Sequence, residues 1–406
     1  MLDAAHPKTR PKDIFLSSFF LGMTVSVMIA ALILLFIPGD SNFSSDSIYS
    51  SIPIFRYTLI IDLCLFGVSV VIGFFRVYAV NYLYIFQLDP NYRIREAQIS
   101  RVALLILYVW LLCFFLQIIT YKYDFVATHS GIFTFVMFIT LTFIFISPFR
   151  FLYRGARVEV IRTMWNIICS PITEVRFKDF FLADIFCSMV KPFQDMTICA
   201  CFFSSDAWVD HTDANCPWLG SAIIVASILP FYWRFMQCLR KYYETRDKFP
   251  HLVNAGKYLS SLITFTTNLI KYKYKLDINT VYVVMYFIAT MYSYIWDITM
   301  DWGLMRGKPK YIFLREKLLY PAKYYYFSMI SNFLLRFTWI LTLFTHSFLY
   351  TTKIGYHSLL FFLGFGEAYR RTQWSLFRVE NENVNNFEKY RAFLEIPQLA
   401  EEEQSY

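Results

Sequence analysis

Charged residues are scarce in this 406-residue sequence, where Asp, Glu, Lys and Arg together make up 17%. Soluble domains average about a quarter charged residues, so this composition is not that of an ordinary water-soluble globule. A disordered chain is excluded as well, because 57% of the residues are hydrophobic and 20% are aromatic. Glycine and proline number only 13 and 14, which excludes a collagen-like repeat. Together with a mean hydropathy of +0.43, the composition indicates a membrane protein.

Motifs for metal binding and catalysis are missing too. The eight cysteines are scattered, with no C-x-x-C pair and no Cys/His spacing that suits zinc, so neither a cofactor nor a disulfide-rich scaffold is predicted. His346 and His357 lie alone, and no enzyme activity is expected. The net charge of +8 is spread between apolar runs, so nucleic acid is not an expected partner. Cys201 and Cys216 flank a polar loop and could form a disulfide if that loop faces an oxidising lumen.

Apolar runs recur along the whole chain. A helix needs about 20 apolar residues to cross a bilayer. The sequence therefore predicts an all-α polytopic membrane protein with about ten transmembrane helices, near residues 14–37, 57–75, 102–120, 131–148, 180–203, 218–237, 251–270, 278–300, 325–348 and 355–376. The first run is longer than a signal-peptide core and no small-residue cleavage site follows it, so we expect it to be retained.

Lys and Arg concentrate in alternate loops, which orients the chain by the positive-inside rule. The loops near 76–101, 149–179, 238–250 and 301–324 are rich in basic residues. The opposite loops carry only Arg56, Lys122, Lys271, Lys273, Lys275 and Lys353. Both termini are therefore predicted to be cytosolic, as a stub at 1–13 and an acidic tail at 379–406.

Charged side chains interrupt several of the apolar runs, mostly in the second half of the chain. A charge at the centre of a spanning helix costs about 2.5–3.5 kcal/mol on insertion scales, so such residues normally face a bundle interior or a water-filled cavity. The candidates are Asp184, Lys257, Asp297, Asp301, Arg336, Glu367, Arg370 and Arg371, with Tyr258 and Trp339 beside them. In the first half only Asp62 lies clearly inside a run. Lys191 and Asp195 are interpreted as interfacial residues that extend toward the headgroups.

Helical spacing groups these charges. Shared faces are predicted for Asp297 with Asp301 at i,i+4, for Glu367 with Arg370 and Arg371 at i,i+3 and i,i+4, and for Arg336 with Trp339 at i,i+3. One interpretation is a set of internal ion pairs that hold helices together. The number of charges and the two adjacent arginines favour a site for an oxyanion, above all phosphate, which guanidinium groups bind with two parallel hydrogen bonds. The carboxylates would position the cations and keep the anion from binding too tightly to leave.

Six motifs in these regions resemble the EXS family of membrane proteins: YIFQLDP (84–90), FFLAD (180–184), FPHLVNAGKY (249–258), IWDITMDWGL (295–304), LLRFTW (334–339) and EAYRRTQWSLFRVENENVNN (367–386). The resemblance covers nearly the whole chain. It implies a ten-helix inorganic phosphate exporter with four helices at 14–149 and an EXS domain at 150–378, whose six helices form the conduit. Membrane lipids and a second copy of the chain would be its partners. The implied phosphate-contacting residues are Asp184, Lys257, Tyr258, Asp297, Asp301, Arg336, Trp339, Glu367, Arg370 and Arg371.

The sequence departs from the family pattern in two places. Cys187 stands three residues after Asp184, where animal members have Asn, and a thiol cannot supply both the donor and the acceptor of an amide. Full-length members carry an N-terminal SPX domain, for which a first span near residue 14 leaves no room. The chain is thus similar to the SPX-less branch, which implies a Golgi membrane protein that returns phosphate from the lumen to the cytosol, with the plasma membrane as the alternative location.

Other functions remain open at this level. A Golgi membrane interaction protein could retain glycosyltransferases or ER-resident proteins through its C-terminal tail without carrying phosphate. A cell-surface receptor and a membrane-embedded enzyme are further alternatives, although ten spans disfavour the receptor and no nucleophile–base pair supports the enzyme.

Overall fold

The structure, a computed structural model, describes residues 11–36, 46–89, 94–123, 131–149, 152–205, 216–274, 278–307, 310–343 and 353–390. Every regular element in these ranges is helical, and the prediction of an all-α membrane protein is confirmed. Some sequence predictions fall outside the described residues: most of the stub (1–10), the polar loop at 206–215, His346 and the end of the tail (391–406).

The helices follow one another with short connections. In chain order they are α1 (Pro11–Phe36), α2 (Asp46–Val77), α3 (Tyr82–Ile85), α4 (Glu96–Tyr123), α5 (Ile132–Ile146), α6 (Arg154–Ile168), α7 (Phe177–Phe186), α8 (Val190–Ser204), α9 (Leu219–Thr245), α10 (His251–Tyr274), α11 (Asn279–Trp296), α12 (Ala322–Arg336) and α13 (Lys353–Tyr390). A π-helical turn at Asp297–Asp301 continues α11, and a 3₁₀ turn at Thr338–Leu343 follows α12.

Five segments in the described ranges are long and apolar enough to cross a membrane: Phe15–Leu34, Ser50–Val77, Glu96–Thr120, Leu219–Thr245 and Asn279–Asp301. Helix α5 is apolar but shorter. Length and hydropathy thus support about half of the ten predicted spans. The other four predicted spans either break, as at 180–203 and 325–348, or carry the charges singled out above.

The apolar run at 180–203 forms two helices instead of one. Helix α7 ends at Phe186 and α8 begins at Val190, and the turn between them is closed by bonds from the Ser188 and Met189 amides to the Ile185 and Phe186 carbonyls, both 2.9 Å. Pro192 is the third residue of α8, a first-turn position where its missing N–H breaks no helical bond. The break places Ser188 and the amino end of α8 within the bundle.

The basic loop after the π-helical turn folds against the last helix. Arg315 donates 3.2 Å hydrogen bonds to the Trp302 carbonyl and to Asn381 Oδ1, and it forms a 2.5 Å ion pair with Glu380. Gly303 has a positive φ of 62°, and a β-carbon there would lie 2.2 Å from Asn381 Oδ1, so glycine is required. Glu380 and Asn381 are buried within α13, so the first residues of the predicted tail belong to the helical bundle.

Glycines allow α2 and α13 to approach closely. A β-carbon on Gly67 would lie 2.2 Å from Thr372 Oγ1, and one on Gly364 would lie 2.3 Å from Ile60 Cδ1. Both glycines therefore lie where the two helices are in close contact. Small residues at such crossings let helix backbones pack tightly in membranes, where no hydrophobic effect drives helices together. This contact fixes α2 beside the charged part of α13.

We expect Gly67→Ala to destabilise the protein by about 1–3 kcal/mol, because the added methyl group overlaps the Thr372 hydroxyl. Thermal unfolding in detergent measures the effect. Gly22→Ala is the matched control, since it brings the same gain in helix propensity and nothing lies within 4 Å of its added methyl. Adding Thr372→Ala to Gly67→Ala should partly restore stability, because it removes the hydroxyl that the new methyl group overlaps. Equal stability of Gly67→Ala and Gly22→Ala would contradict this account of the crossing.

Candidate functional site

Charged side chains from six parts of the fold meet at one place, here called the charged cluster. Its basic members are Arg234, Lys257, Arg336, Arg370 and Arg371, and its acidic members are Asp184, Asp297, Asp301 and Glu367. They come from α7, α9, α10, the π-helical turn, α12 and α13. Ser188, in the break between α7 and α8, joins them. Five basic groups thus meet four carboxylates, which leaves an excess positive charge.

Asp297 connects two of these helices. Its Oδ2 accepts hydrogen bonds from Arg336 Nε at 2.9 Å and Nη2 at 2.5 Å, and from Asn332 Nδ2 at 2.9 Å. Arg370 Nη1 lies 3.8 Å from the same oxygen. Asp297 is 1% exposed, and a carboxylate buried this deeply is retained only when it is paired and hydrogen-bonded. The carboxylate therefore fixes Arg336 and orients Arg370.

Glu367 and Ser188 hold the adjacent arginines of α13. Arg370 donates to both oxygens of Glu367, at 3.0 and 2.8 Å, and its Nη2 donates to Ser188 Oγ at 2.9 Å. Arg371 Nε donates to the same Ser188 hydroxyl at 2.7 Å. The predicted shared face of Glu367, Arg370 and Arg371 is thus present. The broken helix supplies the hydroxyl that aligns the two guanidinium groups.

Asp184 anchors the opposite side of the cluster. It accepts a 2.9 Å bond from Arg234 Nε and a hydrogen bond from the Tyr258 hydroxyl. Arg234 Nη1 also donates to Gln237 Oε1 at 2.8 Å. All four side chains are buried, and they tie α7 to α9 and α10.

Lys257 and Arg371 differ from the other basic groups. Neither forms an ion pair with a carboxylate among the described residues, although both are more than nine-tenths buried. The Lys257 ammonium lies over the rings of Tyr258 and Trp296, 4.4 and 5.3 Å from their centroids. The Arg371 guanidinium lies 4.7 Å above Trp374. Aromatic faces stabilise these cations without occupying their hydrogen-bond donors.

Asp297 and Asp301 do not sit on a regular α-helix as predicted, because residues 297–301 form a π-helical turn. π-helical turns are rare in proteins, and those that occur often lie at functional sites. Asp301 accepts a 3.1 Å bond from Trp374 Nε1, and Arg378 Nε lies 3.8 Å from its other oxygen. The two carboxylates therefore bind different partners, although they stay in one cluster.

Trp339 lies beyond the regular helix that carries Arg336. Helix α12 ends at Arg336, and Trp339 follows in the 3₁₀ turn, where its ring stacks on Tyr286 with centroids 4.2 Å apart and planes at 16°. The indole is 8% exposed, and its Nε1 has no hydrogen-bond partner among the described residues. Its described ring partner is therefore Tyr286, and the prediction that the indole lies beside Arg336 stays a prediction.

Sequence reasoning missed Arg234, Ser188 and Asn332. Arg234 could have been found, because it is a single charge within the apolar run at 218–237, the same signal that selected the other residues. Ser188 and Asn332 carry no such signal, since a neutral polar residue is common in a spanning helix. Cys187, at the end of α7, directs its sulfur toward the Pro230 carbonyl at 3.6 Å and has no described contact with the arginines.

Two further features lie apart from the cluster. Cys201, in the last turn of α8, and Cys216, three residues before α9, are joined by a disulfide with Cα atoms 6.0 Å apart. A groove of about 490 Å³ between α1 and α4 is lined by apolar and small side chains, without charged groups, so its chemistry is not that of an anion site. Among the described residues, no group of three or more His, Cys, Asp or Glu side chains is arranged to hold a metal ion.

Comparison with known proteins identifies the family. The chain is 34% identical over 392 residues to "SPX and EXS domain-containing protein 1" of Dictyostelium discoideum, an alignment that covers 92% of this chain and 42% of that protein. It is 28% identical to "Phosphate transporter PHO1" of Arabidopsis thaliana, with 95% and 50% covered, and 28% identical to "Solute carrier family 53 member 1" of Homo sapiens, with 94% and 57% covered.

The chain spans about half the length of the curated relatives it matches. The model of the EXS family matches residues 51–384, from within α2 to near the end of α13. That match includes the whole charged cluster and well over half of the sequence. The chain therefore belongs to the EXS family.

Proposed function

We propose that this protein carries inorganic phosphate across a membrane and that phosphate binds at the charged cluster. The names of two relatives, a phosphate transporter and a solute carrier, support transport as the activity. The geometry supports phosphate as the transported anion, since the cluster brings together four arginines and a lysine whose buried N–H groups can donate hydrogen bonds to it. The conduit is formed by the helices of residues 150–378, within a ten-span fold that assembles as a homodimer.

The observation that carries this proposal is that Lys257 and Arg371, here called the uncompensated cations, are buried and form no direct ion pair with a carboxylate among the described residues. A buried cation without a directly bonded counter-ion is costly, and a phosphate bound to both groups would supply one. Arg371 has donors beyond the one bound to Ser188, and Tyr258 lies beside Lys257. Phosphate would therefore bind between α10 and α13, with Arg336 and Arg370 held nearby by Asp297 and Glu367.

The carboxylates explain how such a site can release its anion. Each of Arg234, Arg336 and Arg370 is hydrogen-bonded to an acidic side chain, so phosphate competes with a bound carboxylate for these donors. Conduction requires binding that is favourable enough for entry and weak enough for exit. A cluster with one excess positive charge satisfies both demands better than an uncompensated group of arginines.

The broken helix adds a second attraction for anions. The amino end of α8 carries unpaired backbone N–H groups and the positive end of the helix dipole, next to Ser188. In transporters, half-helices commonly direct their amino ends toward anionic substrate groups. The break between α7 and α8 thus supports the same assignment from the backbone alone.

The proposed direction of transport rests on the resemblance to the SPX-less branch, and the expected orientation is compatible with it. The Cys201–Cys216 disulfide favours an oxidising lumen at the junction of α8 and α9, and the basic loops favour the cytosol for both termini. We place the protein in the Golgi membrane, where it would move phosphate from the lumen to the cytosol.

Removing either uncompensated cation should suppress transport. We expect Lys257→Gln and Arg371→Gln to lower phosphate flux at subsaturating phosphate roughly 10- to 150-fold, because each removes a charge-assisted hydrogen bond of about 1.5–3 kcal/mol. Flux of radiolabelled phosphate in proteoliposomes measures the effect. Arg336→Ala should abolish flux too. Because it also removes two of the hydrogen bonds that Asp297 accepts, it is measured beside the double variant Arg336→Ala/Asp297→Asn, which should restore stability.

Lys241→Gln is the matched control for these variants. Lys241 is a partly exposed residue of α9 that pairs with Glu244, away from the cluster. Wild-type flux in both Lys257→Gln and Arg371→Gln would reject the charged cluster as the transport site.

A retention protein without transport would instead show no flux in the wild type. It would lose its activity when the chain is cut after Tyr390, a cut that keeps the buried Glu380.

The proposed orientation makes a separate prediction. Epitope tags at residue 1 and residue 406 should both bind antibody after selective permeabilisation of the plasma membrane, whereas a tag inserted in the loop at 206–215 should require detergent. Co-staining in the same cells assigns the compartment. A loop tag that is accessible without detergent would reverse the orientation and place the disulfide in the cytosol.

A further inference from the structure

A second group of buried charges lies outside the charged cluster. Arg56 of α2 donates to both oxygens of Asp195 of α8, through Nε and Nη2, each at 2.7 Å. Lys191 Nζ lies 3.0 Å from the same carboxylate, and Arg56 Nη1 lies 3.2 Å from His357 Nδ1 of α13. Arg56 and Asp195 are 2% and 0% exposed. These four residues are called the second cluster.

The position of these residues contradicts the sequence prediction. Arg56 was assigned to a loop, and Lys191 and Asp195 were interpreted as interfacial side chains. Instead, Arg56 lies within α2 and Asp195 is completely buried. His357, which stands alone in the sequence, is a partner of Arg56. Three helices therefore bring their charges together at one level of the bundle.

The charge balance and the donor count both favour an anion. Two cations share a single carboxylate, so one positive charge is not compensated within the cluster. A guanidinium has five N–H groups, of which the structure directs three toward Asp195 and His357, and an ammonium has three, of which one faces Asp195. Two donors of Arg56 and two of Lys191 therefore have no partner among the described residues. Lys191 keeps 24% of its side chain accessible, which allows a ligand to reach it.

The second cluster is in line with the first along the same helices. Cys64 Sγ of α2 lies 3.7 Å from Met189 Sδ. Because Met189 follows Ser188 directly, this contact places Cys64 at the same level along the bundle as Ser188. From that level Asp195 is seven residues on along α8, Arg56 is eight residues back along α2, and His357 is ten residues before Glu367. At 1.5 Å per residue, each separation is about 10–15 Å, toward the end of α8 that carries the disulfide.

We propose that the second cluster is a separate binding site for a phosphate-like oxyanion, in series with the charged cluster and on its disulfide side. Lys191 and Arg56 provide the donors, while Asp195 holds both cations in place and limits the affinity. Phosphate occupies this site before it reaches Arg371 and Lys257. The inference rests on the proposed function, since it assigns a second binding site to the same transported anion.

The test is the number of phosphates bound per chain. Equilibrium dialysis of the full-length protein in nanodiscs against radiolabelled inorganic phosphate should give two for the wild type and one for Lys191→Gln. The dissociation constant of the single site that remains in Lys191→Gln should stay within about twofold of the value for the charged cluster in the wild type. Arg371→Gln should also bind one, held by the second cluster. Lys191→Arg should restore two, and the distant Lys241→Gln should leave two.

The outcomes separate this inference from the proposed function. One phosphate on the wild type, or two on Lys191→Gln, overturns the second site and leaves transport at the charged cluster intact. Loss of both phosphates in a Lys191→Gln protein with wild-type thermal unfolding also overturns it, because the two clusters would then form one composite site. A wild type that binds no phosphate contradicts the proposed function itself.

Discussion

The pairing of buried charge governs this structure. A charged group in a low-dielectric interior is tolerated when an opposite charge and well-directed hydrogen bonds replace its lost water. Asp297 shows how far the fold depends on this constraint. One oxygen of this carboxylate accepts bonds from Arg336 and Asn332 of α12, and it lies 3.8 Å from Arg370 of α13. Three elements are thereby held in register by a single acidic group, so the geometry of the arginines is set before any ligand is present.

The two exceptions to this pairing are informative. Lys257 and Arg371 lie against aromatic rings and not against carboxylates. A ring face offers electrostatic stabilisation without accepting a directed hydrogen bond, so the cation stays buried while its donors remain available. A carboxylate at the same place would have filled those donors. The aromatic partners at these two positions therefore distinguish the cluster from a network in which every cation is paired with a carboxylate, and this difference is what the proposed phosphate site depends on.

Much of this arrangement could be predicted from the sequence, because the cost of burying charge is visible in composition alone. A charge within an apolar run identified Asp184, Asp297 and Glu367, and helical spacing correctly grouped Glu367 with Arg370, since both lie on the regular helix α13. Prediction failed where the backbone departs from that regularity. The break after Phe186 has no proline of its own, and the π-helical turn at 297–301 has no local signature. Arg56 was assigned to a loop for another reason. The boundary of the apolar run was chosen by hydropathy, so the run began after this charged residue. In the structure Arg56 lies within the helix, where its ion pair with Asp195 makes the buried charge tolerable.

The two clusters share one design, in which carboxylates hold more cations than they can neutralise. Asp195 binds Arg56 and Lys191, as Asp297 binds Arg336 and lies close to Arg370. If phosphate binds at both clusters as proposed, it would gain the excess charge at each but compete with a carboxylate for its donors. That competition would keep binding weak at both places. Two weak sites about 10–15 Å apart would let an anion move along the bundle without being held as tightly as a group of unpaired arginines would hold it.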